Sequence, residues 1–77
     1  MIQLAATGDE ARARDILSDA RRKSRDLLSN ASPFTEKFVK DGTTFYRARF
    51  SGFDPDSAQA ACKTLKRRGF SCFATRG

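Results

Sequence analysis

The run Thr35-Glu36-Lys37-Phe38-Val39-Lys40-Asp41-Gly42-Thr43-Thr44-Phe45-Tyr46-Arg47-Ala48-Arg49-Phe50 decides the fold. Two segments rich in β-branched and aromatic residues flank Asp41-Gly42, and Asp-Gly is among the dipeptides that best supply the positive φ angles of a tight hairpin turn. Side chains alternate across a strand, so Tyr46, Ala48 and Phe50 fall on one face of the second strand and Phe45, Arg47 and Arg49 on the other. This pattern leaves open the register of the hairpin, and with it whether Phe38 joins Phe45.

Upstream, Ile2 to Ala5 reads as a short first strand, with Ile2 and Leu4 on one side and Gln3 and Ala5 on the other. Asp9 is an N-cap for a helix predicted to run to about Leu28, whose stripe is Ala13, Ile16, Leu17, Ala20, Ser24, Leu27 and Leu28. Asn30 and Pro33 end it. Downstream, Asp54 caps a second helix with Pro55 in its first turn, and Ala58, Ala61, Cys62 and Leu65 form the apolar stripe. Gly69 stops this helix after the basic turn Lys66-Arg67-Arg68. Phe70 to Thr75 is the last strand, with Phe70, Cys72 and Ala74 on one face and Ser71, Phe73 and Thr75 on the other.

The order is therefore βαββαβ. The two halves echo each other: counted from Asp9 and from Asp54, the leading apolar residues of both helices fall at the same offsets. Two βα units of like design pack both helices on one face of a four-stranded antiparallel sheet. This is the ferredoxin-like, RNP-like α+β arrangement.

With 77 residues the chain is a single domain, 1–77, with a thin core, since a domain this small buries only roughly 60–65 % of its unfolded surface. Its formal charge of +6, from 15 Lys+Arg against 9 Asp+Glu, favours an anionic partner without choosing one. No His and two Cys leave no spacing for a zinc finger or a His-based triad, so neither metal catalysis nor a cofactor is expected. No apolar run approaches the roughly 18 residues of a membrane span, and no membrane contact is expected of this domain.

If Ile2, Leu4, Tyr46, Ala48, Phe50, Phe70, Cys72 and Ala74 point to the helices, alternation sends Gln3, Ala5, Phe45, Arg47, Arg49 and Phe73 to the open face. Phe on a solvated sheet face calls for a reason, and a binding platform is the common one. The alternatives are that Phe45 and Phe73 cover each other or pack under Ser29 to Phe34, and that the arginines are simply solvated. A Phe ring lies against a sugar or a base, Arg presents a planar fork to a carboxylate or phosphate, and Gln both donates and accepts.

Ile2-Gln3-Leu4-Ala5-Ala6 resembles the opening strand of SPOR (sporulation-related repeat) domains. Tyr46-Arg47-Ala48-Arg49-Phe50-Ser51-Gly52-Phe53 is similar to their third strand and the Gly-aromatic turn after it. Ser57 to Leu65 followed by Gly69-Phe70 is similar to their Ala-rich second helix and its exit. The resemblance implies a non-enzymatic module, expected to be monomeric, that binds peptide-stripped peptidoglycan strands on the sheet face away from the helices. It implies a periplasmic or cell-envelope location and a parent protein directed to the division septum, whose own activity is cell-wall modification in some cases. By motif position the binding residues are Gln3, Ala6, Phe45, Arg47 and Phe73, beside which alternation sets Arg49. Three departures stand out: Ala5 replaces a usual Gly, Thr7 stands where an aromatic is common, and Ala6 lacks a hydroxyl often found there. Gly77, directly after the last strand, is read as the end of a C-terminal module.

Cys62 and Cys72 both point into the layer between the second helix and the sheet, either as a disulfide in an oxidising compartment or as two buried thiols. The main rival function is an RNA-binding domain of the RRM type, which shares the strand order; the third strand lacks that family's Lys/Arg-Gly-aromatic pattern, and no nucleic-acid partner is expected. An enzyme on this superfold and an adaptor that adds a strand at a sheet edge are further alternatives.

Overall fold

The computed structural model describes residues 1–75. Arg76 and Gly77 lie outside the described residues, so the reading of Gly77 as a C-terminal end is not addressed by it. The elements are β1 (Ile2–Thr7), α1 (Glu10–Lys23), α2 (Arg25–Leu28), β2 (Ser32–Lys40), β3 (Thr43–Ser51), α3 (Pro55–Arg67) and β4 (Phe73–Ala74). All strand pairs are antiparallel, in the order β2-β3-β1-β4, and the helices pack on one face.

The hairpin turns where the sequence places it. Asp41 and Gly42 have φ of 53° and 78°, the pair of positive values that a type I′ turn requires and that matches the twist of the flanking strands. The turn fixes the register: Lys40 faces Thr43, and pairing continues without interruption to Ser32 opposite Ser51.

The two long helices, α1 and α3, start on aspartate. The Asp9 carboxylate accepts from the Ala11 backbone N–H at 2.9 Å. Asp54 and Ser57 form a reciprocal capping box, Ser57 N–H donating to Asp54 Oδ1 at 2.8 Å and Asp54 N–H donating to Ser57 Oγ at 3.0 Å. Ala13, Leu17 and Ala20 of α1 and Ala58, Cys62 and Leu65 of α3 meet Ile2, Leu4, Ala48 and Phe50 of the sheet in one core.

Three features depart from the sequence reading. The first helix is not continuous to Leu28: Ser24 leaves helical geometry at φ −133° and ψ 48°, and a separate turn follows. Ser is a weak helix former, and bending here carries Leu28 to full burial. The last strand spans Phe73–Ala74 and not 70–75. Gly69, at φ 94°, closes α3 with a Schellman motif in which Phe70 N–H donates to Leu65 O and Gly69 N–H to Lys66 O. A disulfide then joins Cys72 to Cys62. Residues 69–72 are thus held to α3, and the chain is free to pair with β1 only from Phe73, opposite Gln3.

The third departure moves a side chain across the sheet. Gln3 pairs with Arg49, but the next partner of β3, Ala48, faces Ala5, so Leu4 is the extra residue of a β-bulge. Leu4 is buried and Ala5 packs against the core. Strict alternation puts Ala5 on the open face; past the bulge the parity is inverted, and Ala6, opposite Arg47, takes that place.

Candidate functional site

The pairings lay the open face out in three ranks. Across the middle of the sheet run Phe73, Gln3, Arg49 and Phe34; the next rank holds Ala6, Arg47 and Glu36; the last, toward the hairpin turn, holds Phe45 and Phe38. Directly opposed residues of antiparallel strands share a face, so this arrangement follows from register alone. All six residues that the sequence reading singled out for contact, Gln3, Ala6, Phe45, Arg47, Arg49 and Phe73, lie in these ranks.

Directed contacts tie the ranks together. Arg49 Nε donates to Gln3 Oε1 at 2.8 Å, and Arg47 Nη1 donates to Glu36 Oε1 at 2.9 Å. Arg49 Nη1 lies 3.4 Å from the same Glu36 oxygen and 3.7 Å from Met1 Sδ. The Arg47 guanidinium carbon sits 4.0 Å from the centroid of the Phe38 ring, a cation–π geometry. Phe38 and Phe45 stack with centroids 5.3 Å apart and planes inclined by 23°. Phe73 is 52 % exposed at the far side of the face.

The two arginines are not equivalent. The Arg49 side chain is only 11 % exposed, with its Nε and one Nη engaged, whereas that of Arg47 is 33 % exposed. Arg49 therefore acts as an internal cation that positions Gln3 and Glu36, while Arg47 offers its remaining N–H groups to solvent. Sequence reasoning does not single out Glu36, leaves Phe38 open, and offers Phe34 only as the end of a segment that covers the face. The signal for all three was present: once Asp41-Gly42 is taken as the two-residue turn, partners on β2 and β3 have numbers that add to 83, which sets Glu36 against Arg47 and Phe38 against Phe45.

Chemically the face is an aromatic platform beside alternating donors and acceptors. Among the described residues no group of His, Cys, Asp and Glu is placed to hold a metal ion, and no helix is long and apolar enough to cross a membrane.

The SPOR domain profile matches residues 1–76. The chain belongs to the SPOR domain family. Two solved structures are similar to this SPOR domain in fold. The crystal structure of the RlpA SPOR domain from Pseudomonas aeruginosa aligns with a TM-score of 0.66 at 12 % identity, covering 96 % of each chain. The solution structure of the peptidoglycan binding domain of the B. subtilis cell wall lytic enzyme CwlC aligns with a TM-score of 0.57 at 21 % identity, covering 94 % of this chain and 80 % of that one. Comparison with curated protein sequences finds no significant match. At these identities the two likenesses speak to the four-stranded sheet with helices on one side.

Proposed function

We propose that this SPOR domain is a non-catalytic peptidoglycan-binding module that holds glycan strands stripped of their stem peptides on the open sheet face. In this reading it is a monomeric C-terminal module of a larger protein of the periplasm and cell envelope, directed by the domain to the division septum. The observation that carries it is the continuity of the open face, from Phe73 through Gln3, Arg49 and Glu36 to Arg47 stacked over Phe38. Family membership, and a fold shared with a domain described as peptidoglycan binding, support the same reading.

The chemistry of a stripped glycan matches the parts present. The exposed C–H face of a pyranose ring packs on Phe45 and Phe73. Sugar hydroxyls and acetamido groups find the free oxygen of Glu36, while Gln3, only 7 % exposed, serves by holding Arg49. Removal of stem peptides leaves lactyl carboxylates along an otherwise neutral chain, and the Arg47 fork receives one of them.

Co-sedimentation with intact and with amidase-treated wall material tests the proposal. Wild-type protein is expected to pellet more with amidase-treated wall. Arg47→Ala is expected to bind about tenfold more weakly, the scale of one lost charge-assisted hydrogen bond, with an unchanged far-UV circular dichroism spectrum. Wild-type binding in that variant, or a preference for single-stranded RNA over both wall preparations, overturns the assignment.

A further inference from the structure

We infer that Glu36 sets the charge selectivity of the open face: by holding Arg47 and Arg49 against one carboxylate, it lets the face take a sparsely charged glycan while turning away phosphate polymers. The preference for glycan rests on the function proposed above; the exclusion of polyanions rests on the geometry of three side chains.

A chain with a formal charge of +6 is drawn to any polyanion. Arg47 and Arg49, two residues apart on one face of β3, form a ready clamp for phosphate if nothing occupies them. Glu36 occupies them. Its Oε1 accepts from Arg47 Nη1 at 2.9 Å and lies 3.4 Å from Arg49 Nη1. Gln3 takes the Nε of Arg49, whose side chain is nearly buried. The trio therefore presents one positive charge, not two.

The carboxylate is also a repulsive element. Its side chain is 44 % exposed, so its second oxygen faces an incoming ligand. A polymer with a phosphate on every repeat brings like charge against that oxygen. A stripped glycan carries its carboxylates on alternate sugars, with neutral hydroxyl-bearing sugars between them, so it brings hydroxyl donors to that oxygen while placing a carboxylate at Arg47. Specificity of this kind comes from penalising the wrong partner as much as from attracting the right one.

The experiment compares wild type, Glu36→Gln and Glu36→Asp against amidase-stripped glycan strands, sodium polyphosphate and a single-stranded oligothymidylate. Glu36→Gln keeps the shape and removes the charge. Its affinity for polyphosphate and oligothymidylate is expected to rise about tenfold, with the slope of log affinity against log salt steepening by about 0.7 to 1 as one cation is released. Its affinity for glycan is expected to fall severalfold, because a neutral amide oxygen holds the two arginines less firmly than the carboxylate does. Glu36→Asp, which keeps the charge, is expected to retain wild-type selectivity. A folded Glu36→Gln variant whose polyanion affinity and salt slope match wild type overturns the inference, as does an equal rise for all three ligands. If wild type binds no glycan, the proposed function fails, and the two polyanion measurements still decide whether Glu36 excludes phosphate.

Discussion

On the covered face of the sheet, Ile2, Ala48 and Phe50 have no solvent exposure and meet the apolar stripes of two helices. On the open face, one position away along the same strands, Arg49 is tied to Gln3, and Arg47 and Arg49 to Glu36, by hydrogen bonds and ion pairs. The difference teaches where stability and recognition reside. Burial stabilises in proportion to area and tolerates small errors of geometry. Partly solvated charge contacts add little to stability, so they are free to be exchanged for contacts with a ligand.

Phe50 and Phe45 break the comparison most directly, being the same residue type on opposite faces of β3. Phe50→Ala is expected to cost about 3–5 kcal/mol through lost burial and a residual cavity, a large part of the roughly 4–12 kcal/mol expected for a domain of this size. Urea denaturation followed by circular dichroism measures it. Phe45→Ala is expected to leave the midpoint near wild type and to weaken wall binding. A midpoint shift for Phe45→Ala as large as that for Phe50→Ala shows that the open face is structural.

The disulfide between Cys62 and Cys72 reinforces the covered side, joining α3 to the segment that enters β4 across a sequence separation of 10. Closing so short a loop is worth roughly 2–3 kcal/mol in the chain-entropy model. Reduction, or the paired change of Cys62 and Cys72 to Ser, is expected to lower the urea midpoint accordingly. Phe73, which follows Cys72 directly and sits on the open face, gives this change a second readout: glycan binding falls with the loss of β4 order. Unchanged stability after verified reduction overturns the role of the bridge.

What was legible in the sequence was carried by local signals. Asp41-Gly42 announces its own turn, and Asp9, Asp54, Pro55 and Gly69 announce helix ends, because each acts on backbone groups within a few residues. What was not legible depends on partners distant in the chain. The extra residue at Leu4 has meaning only against β3, so alternation alone put Ala5 on the wrong face. The bend at Ser24 is set by where the core ends for Leu28. Glu36 carries no motif of its own and becomes a site residue only when the hairpin register sets it opposite Arg47.

The bulge supplies a sharper test of the two faces, using neighbouring alanines. Ala5→Asp places a carboxylate against the core and is expected to cost roughly 1–2 kcal/mol. Ala6→Asp, on the open face beside Arg47, is expected to change stability by less than about 0.5 kcal/mol. Thermal melts of the pair decide it; the reverse order returns Ala5 to the open face and removes the bulge.

The smallest effect expected is a pH dependence, and it arises on the helix side. The backbone N–H and hydroxyl of Ser57 hold the Asp54 carboxyl below its ordinary value of 3.8. The Arg68 guanidinium, donating to both oxygens of Asp26 at 2.9 Å, does the same there. A carboxylate lowered in the folded state stabilises fully above its unfolded pKa, and that contribution drains away as pH falls through the folded value. Melting temperature is therefore expected to be level from neutrality to about pH 5 and to decline below about pH 4. Both groups are solvent-exposed, so the decline is shallow. Asp54→Asn keeps a good capping residue while removing the titrating group, so its acid limb is expected to be flatter than wild type. An identical acid limb in Asp54→Asn and in Asp26→Asn shows that other carboxylates govern the acid response. A flatter limb in either, with the neutral-pH fold retained, places it in the helix layer, apart from the charges that face the ligand.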